Sequence, residues 1–259
     1  MQPRLNIALK ACRSASEIIT KIYKSKDQDE LRSYDKIGDL LYKHIADVIA
    51  ESYPYGDDDI LGPSYVDREI MESVTSNENI TSSIDSDDDK CIWVINPLDS
   101  YENFANKFPL FNITITIFQK GIAQAAIIFN PIQDELVTAI KGEGALYENT
   151  KIRNRSLSKT KILYVINNSK IKLNIENMLD GSERFIGSKS TELIYMASGK
   201  IDLIVYPEIN IWESAAGVLI CKESGVFVTD FSGEDDIYNS KSLIASKEWL
   251  HKKILPELN

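Results

Sequence analysis

The chain has 259 residues, of which 43% are hydrophobic and 26% are charged, so it is long enough to bury a sizeable core in one large or two small domains. Its formal net charge of -10 argues against direct nucleic-acid binding, because most of the surface would repel a phosphate backbone. No apolar stretch has the length of a signal peptide or a membrane span, so we expect no membrane attachment.

Two amphipathic helices are predicted at the start of the chain. Apolar residues recur at steps of three and four over 3–24 and again over about 36–52, which is typical of helices with one buried face. Pro54 is expected to end the second helix. The segment 75–90 is rich in Ser, Asn and Asp with almost no apolar residues, and we expect a solvated acidic loop there.

A β meander is predicted next, with strands over 113–118, 122–129 and 135–140, and Gly142 and Gly144 are expected to end it. Beyond about residue 149 strands and helices alternate, which favours a layered α/β arrangement. The expected strands are 162–166, 201–206, 226–231 and 243–245, and the expected helices are 190–198, 213–224 and a short one from Glu248. We therefore expect an N-terminal α+β subdomain, 1–145, and a C-terminal α/β subdomain, 146–259, which together form one compact unit.

The most informative segment is an apolar strand that runs into a proline turn and a helix start. It reads Trp93-Val-Ile-Asn96-Pro-Leu-Asp99-Ser-Tyr101-Glu-Asn-Phe104 and resembles the Trp-Val-Ile-Asp-Pro-Leu-Asp-Gly-Thr-x-Asn-Phe segment of the inositol monophosphatase family. Three further segments agree with that family in order and spacing: Phe129-Asn-Pro-Ile-Gln-Asp, Gly142-Glu-Gly-Ala and Trp212-Glu-Ser-Ala-Ala-Gly217. The resemblance covers nearly the whole chain and is strongest to the branch of bacterial extragenic suppressor proteins. It implies the family's layered αβαβα sandwich, in the α/β class.

The resemblance also implies a chemistry, the hydrolysis of a phosphate monoester by water activated on Mg²⁺. Bound cations reverse the repulsion between carboxylates and the phosphate, and lower the pKa of the attacking water. Four positions correspond to the family's metal ligands: Asp99, the Leu98 carbonyl, Glu213 in place of an aspartate, and Asn96 in place of an aspartate. The family's Gly-Glu-Glu segment reads Gly62-Pro63-Ser64 here, so both of its glutamates are replaced and Mg²⁺ binding is doubtful.

The positions that the resemblance assigns to catalysis and substrate binding are changed as well. Asp35 and Tyr101 take the places of the aspartate and threonine that position the water, and the threonine beside that aspartate reads Arg32. The substrate-binding positions correspond to Ser100, Lys189 and Tyr206, with Lys189 in a loop that reads Gly-Ser-Ala-Ala in the family and Gly187-Ser188-Lys189-Ser190 here.

The two retained acids also have a purely structural interpretation. Asp99 with Glu102, and Asn210 with Glu213, each match a helix N-cap followed by an acid three residues later, and a cap contributes about 1 kcal/mol. Glu102 would in addition place a negative charge at a helix start that otherwise attracts phosphate.

These changes predict a family member that is catalytically impaired and acts through protein binding. The resemblance suggests the transcription machinery as a partner, since members of this branch are associated with it during ribosomal RNA synthesis. The alternative is a Mg²⁺-dependent monoesterase of inositol or sugar phosphates that uses a reduced metal site. A third possibility is a purely structural subunit of a homodimer, the assembly we expect in each case. Three scattered cysteines without a Cys-x-x-Cys pair favour a cytoplasmic location.

Overall fold

The structure is a computed structural model. It describes residues 1–25, 33–54, 58–63, 77–84, 89–154, 161–167, 175 and 177–258. Arg32 and Ser64, two of the positions matched above to the resembled family, lie outside these ranges, as do residues 85–88 of the acidic segment.

The two N-terminal helices are confirmed. Helix α1 spans Gln2–Lys24 and helix α2 spans Tyr34–Ala50, so α2 ends four residues before Pro54. The apolar face of each helix packs into one core with the inner face of the first sheet, where Trp93 is fully buried. The periodicity of apolar residues therefore identified the helix residues that pack into this core.

The first sheet has seven strands in chain order, with β1 parallel to β2 and the remaining neighbours antiparallel. The strands are β1 Asp59–Leu61, β2 Cys91–Asp99, β3 Asn112–Gln119, β4 Ile122–Asn130, β5 Glu135–Ile140, β6 Gly144–Tyr147 and β7 Thr150–Ile152. The expectation that Gly142 and Gly144 end the meander is wrong. Their φ angles of 79° and 94° form a turn that only glycine adopts readily, and the sheet continues for two more strands.

The expectation of a loop over 75–90 is also wrong in part. Helix α3 spans Asn77–Ile84, Ile84 is 2% exposed, and the Ile84 carbonyl accepts a hydrogen bond from the amide of Gly121 at 2.9 Å. Packing against the β3–β4 turn thus stabilises a helix whose sequence is mostly polar.

The second half contains a five-stranded sheet in the order β11-β12-β10-β8-β9. Its strands are β8 Ile162–Ile166, β9 Gly181–Glu183, β10 Leu203–Tyr206, β11 Phe227–Thr229 and β12 Leu243–Ser246. Its helices are α5 Lys189–Ala197, α6 Ile211–Glu223, α7 Ile237–Ser240 and α8 Glu248–Ile254, and a 3-10 turn follows at Leu255–Glu257. A short helix α4, Tyr101–Ala105, belongs to the first half. The expected α/β alternation is present, and β9 and α7 are additions to it.

The layers stack as an αβαβα sandwich, which confirms the expected fold class. Helices α5 and α6 share a core with the outer face of the first sheet and the inner face of the second, and α8 covers the second sheet from the far side. The division into subdomains at residue 145 stays a prediction, and strands β6 and β7 of the first sheet extend across it.

The three cysteines, Cys12, Cys91 and Cys221, are all free and buried. None of the described helices is long and apolar enough to cross a membrane.

Candidate functional site

The candidate site lies where strand β2 ends. The pairing of β2 with β3 is regular up to Asn96, shifts, and resumes at Asp99, because Pro97 cannot donate a ladder hydrogen bond. Ser100 then adopts a left-handed φ of 66° before α4 begins. This break opens a cavity of about 350 Å³ between the start of α4 and the starts of α5 and α6. We call it the cleft, and its lining residues are Asn96, Leu98, Asp99, Ser100, Tyr101, Glu102, Gly187, Lys189, Trp212 and Glu213.

Asp99 is only 4% exposed and is held by residues from the start of α5. Its Oδ2 accepts hydrogen bonds from Ser188 Oγ at 2.6 Å, from Ser190 Oγ at 2.5 Å and from the Ser190 amide at 3.2 Å. Asn112 supports these donors through a hydrogen bond to Ser190 Oγ at 2.7 Å. Burial raises the pKa of the Asp99 carboxyl, although the bonds from Ser188 and Ser190 oppose the rise.

The helix-cap interpretation of Asp99 is wrong. The residue that precedes the first turn of α4 is Ser100, which makes no capping hydrogen bond through its side chain. The carboxylate of Asp99 instead bridges β2 to α5, and Glu102 does lie in the first turn of α4 as expected.

Glu213 does take part in capping. Asn210 is the N-cap of α6, and Glu213 Oε2 accepts from the Asn210 backbone amide and from its side-chain amide, each at 3.0 Å. Its other oxygen, Oε1, is 2.9 Å from Lys189 Nζ, in an ion pair whose side chains are 24% and 22% exposed. Both oxygens of Glu213 are therefore engaged by protein groups.

Tyr206 lies beneath Lys189 and is 1% exposed. Its ring centroid is 5.9 Å from Lys189 Nζ, and its hydroxyl donates to Glu192 Oε2. Burial raises the pKa of both Tyr206 and Glu192, so the pair is expected to stay protonated more readily than exposed groups of the same type. Tyr206 thus forms the floor beneath the lysine, and it is not among the residues that line the cleft.

The remaining predicted residues are divided between the cleft and the outer surface. Ser100 and Tyr101 line the cleft, and the Tyr101 ring packs against the first core. The Ser100 hydroxyl is buried without a hydrogen-bond partner among the described residues. Asp35 lies exposed in the first turn of α2, and it is not one of the described residues that line the cleft.

The described residues around the cleft do not fit a magnesium ion well. Within the described part of the chain, no three acidic, histidine or cysteine side chains are grouped so that they could hold a metal ion. One oxygen of Asp99 and both oxygens of Glu213 already accept hydrogen bonds or pair with Lys189. Magnesium usually keeps several water ligands, but an ion coordinated by Glu213 would have to displace Lys189 or the amides of Asn210.

The sequence did not identify the three most important contacts of the site: the two serines that hold Asp99 and the pairing of Lys189 with Glu213. A local signal existed for Ser188, since it is the N-cap of α5 and accepts from the amide of Thr191, a pattern typical of helix starts. No local pattern predicts the Lys189–Glu213 pair, because the two residues meet only when α5 and α6 pack together.

Comparison with known proteins gives a consistent result along the whole chain. A family model described as "Inositol monophosphatase family" matches residues 1–259. The chain is 31% identical over 271 residues to a protein named Nus factor SuhB from Pasteurella multocida, covering 100% of this chain and 96% of that protein. The Nus factor SuhB of Escherichia coli K12 is 28% identical over 279 residues, with the same coverage of 100% and 96%.

Solved structures agree in fold. The extragenic suppressor protein SuhB of Bartonella henselae superimposes with a TM-score of 0.78 at 25% identity, covering 98% of each chain. An inositol monophosphatase from Anabaena superimposes with a TM-score of 0.78 at 22% identity, over 99% of this chain and 95% of that one.

Proposed function

This chain belongs to the inositol monophosphatase family, and from that premise we propose that it is a SuhB-like member with impaired phosphatase chemistry that acts by binding other proteins. The observation that carries the proposal is that protein groups already engage the carboxylates of Asp99 and Glu213 in the cleft. Asp99 Oδ2 accepts from Ser188 and Ser190. Glu213 Oε2 accepts from Asn210, and Glu213 Oε1 pairs with the ammonium of Lys189.

Catalysis in this cleft would require a strong positive field. A phosphate monoester is doubly charged near neutral pH, and the family's reaction uses metal ions to offset that charge and to activate water. Asp99, Glu102 and Glu213 line the cleft, and Lys189 is the one basic side chain among the described lining residues. Lys189 is already paired with Glu213. The field therefore opposes the binding of a phosphate ester.

The partner we propose is a component of the transcription machinery, and the setting we propose is the cytoplasm. Support comes from the relatives named Nus factor SuhB, which the chain matches over 100% of its own length. The net charge of -10 makes contact through a protein partner more favourable than direct contact with nucleic acid.

The alternative, a Mg²⁺-dependent phosphomonoesterase with a reduced site, is favoured by one observation. Asn96, Leu98, Asp99 and Glu213, the four positions that correspond to metal ligands, all line the same cleft. An ion that displaced Lys189 would find oxygen atoms from each of them nearby.

Two measurements on the full-length protein decide between these functions. We expect no saturable heat when magnesium is titrated into the protein by calorimetry. We also expect phosphate release from inositol 1-phosphate to lie at the background rate, with a modest gain in a double variant that carries Asn96→Asp and Glu213→Asp. Turnover within about tenfold of an active family enzyme, a difference of about 1.4 kcal/mol in barrier, would contradict the proposal.

The binding role needs its own measurement. Purified RNA polymerase assembled with its elongation factors should retain the protein on a column equally well with magnesium and with EDTA, if binding does not depend on a filled metal site. Failure to be retained under either condition, with the protein shown to be folded by circular dichroism, would argue for the purely structural role.

A further inference from the structure

We propose that Lys189 is a built-in cation that takes the structural place of a metal ion in the cleft. Its ammonium connects the start of α5 to the start of α6 and offsets the charge of the acids that line the cleft. The inference rests on the proposed loss of metal-dependent chemistry but concerns a separate property, namely which positive charge holds the site together.

The position of Lys189 is unfavourable by local rules, and this points to a tertiary role. Lys189 is the first residue of α5, directly after the N-cap Ser188. The positive end of the helix macrodipole lies there, and a lysine in the first turn is disfavoured by about 0.3–1 kcal/mol. The charge of Lys189 is favourable here only because an acid from another helix lies beside it. Glu213 Oε1 is 2.9 Å from Lys189 Nζ.

Three consecutive residues at the start of α5 all engage acids from other elements. Ser188 and Ser190 donate to Asp99 at the end of β2, and Lys189 pairs with Glu213 at the start of α6. The start of α5 therefore links an acid of the first sheet to an acid of the second half, which is the kind of bridge that a shared cation would provide.

The surroundings hold the ammonium in place. Nζ is 5.9 Å from the centroid of the Tyr206 ring, at the outer limit for a cation–π contact, and the ring is fixed because its hydroxyl donates to the buried Glu192. The Lys189 side chain is 24% exposed, so water screens the pair less than it would screen a pair on the open surface.

A set of variants tests the inference by thermal unfolding of the full-length chain in EDTA and in magnesium. In EDTA we expect Lys189→Met to lower Tm by about 2–4 °C, and Lys189→Arg, which keeps the charge, to lower it by less. Adding magnesium should restore part of the loss in Lys189→Met and leave the wild type unchanged. Lys252→Met removes an exposed lysine that pairs with Glu248 on α8, and as the matched control it should show no response to magnesium.

A double-mutant cycle isolates the pair. In EDTA, Lys189→Met should cost clearly less in a Glu213→Gln background than in the wild type, because the partner charge is already gone. The absence of this coupling would overturn the inference. Coupling without any magnesium response in Lys189→Met would also overturn it, since the pair would then be an ordinary ion pair.

The two proposals fail in different ways. Turnover by the wild type would contradict the proposed function, whereas a missing coupling between Lys189 and Glu213 in EDTA would contradict this inference and leave the proposed function standing. Glu213→Gln alone gives a second route to the same loss if Lys189→Met does not fold.

Discussion

His251 lies beneath the edge of the second sheet and is 5% exposed. Its Nε2 is 2.9 Å from Thr229 Oγ1, and the Thr229 hydroxyl donates its proton to the carbonyl of Asp230 at 2.7 Å. Thr229 must therefore accept from Nε2–H, which is compatible with a neutral ring protonated at Nε2. Burial lowers the pKa of His251, because the charged ring would lose its hydration.

This shift has a definite consequence for stability. The unfolded chain has a histidine pKa of about 6.5 and therefore binds the proton at a higher pH than the folded protein does. The stability that neutral His251 contributes is complete above the unfolded pKa and is lost as the pH falls through the folded pKa. We expect Tm to fall between neutral and mildly acidic pH by more in the wild type than in His251→Gln. Calorimetric scans across that range check this, and parallel curves for the two proteins would contradict it.

Sequence patterns identified the residues of the site better than they identified the hydrogen-bond partners of those residues. The cap at Asn210 and Glu213 was predicted correctly, because both residues lie within one helical turn. The partners of Asp99 were not, since Ser188 and Ser190 are 89 and 91 residues away in sequence. Burial and hydrogen bonds at long sequence separation come from packing, which no local pattern encodes.

Helix α6 is the central element of the molecule, because it lies between the two sheets and is buried over most of its length. Gly217 lies where α6 meets α5. A Cβ at this position would lie 2.3 Å from Leu193 Cδ1 and 2.6 Å from Leu193 Cβ, which is far inside van der Waals contact. The glycine permits the close approach of the two helices that brings Lys189 to Glu213.

We expect Gly217→Ala to destabilise the protein by about 1–3 kcal/mol, the usual cost of overpacking a core. Alanine favours helix over glycine by about 1 kcal/mol, so the sign of the measured change shows whether the clash dominates. Denaturant unfolding monitored by tryptophan fluorescence measures it. A variant as stable as the wild type would mean that the clash costs no more than the helix propensity that alanine gains, and the Lys189–Glu213 pair should then weaken as α5 shifts.

Element boundaries that the sequence missed have identifiable physical causes. Helix α3 was missed because its composition is polar, although the spacing of Ile80 and Ile84 in the sequence is that of a helix face. Strand β6 was missed because glycines usually end strands, whereas here they form the turn from β5 into β6.

For the molecule as a whole, the class and the layers followed from the resemblance, and periodicity alone supplied most of the elements. The strand order β11-β12-β10-β8-β9, with parallel and antiparallel neighbours mixed, could not be read from periodicity. Pairing between distant strands depends on which faces are buried together, and the sequence pattern only shows that each strand has a face to bury.

The expected homodimer remains a prediction, and two exposed aromatic side chains suggest where to test it. Phe185 is 77% exposed and Phe108 is 54% exposed. Their loops are held together by Asn103, whose side-chain amide donates to the carbonyls of Leu110 at 2.7 Å and Ile186 at 3.0 Å. Burying these rings in an interface would be favourable.

We therefore expect the wild type to sediment as a dimer and Phe185→Ser to shift the population toward monomer at low protein concentration. Trp249→Ser is the control, since Trp249 is 57% exposed on α8, the helix that covers the far side of the second sheet. A wild type that sediments as a monomer, or an equal effect of both variants, would contradict this location of the interface.

The burial of all three cysteines gives the protein a practical property. Burial raises the pKa of the Cys12 and Cys221 thiols, and a protonated thiol reacts slowly with disulfide reagents and alkylating agents. Each of these sulfur atoms can be reached only when its surrounding core opens. The rate at which a thiol reagent modifies the native protein therefore measures how fast its two largest cores open. Modification of Cys12 and Cys91 reports on the first core, and modification of Cys221 reports on the second.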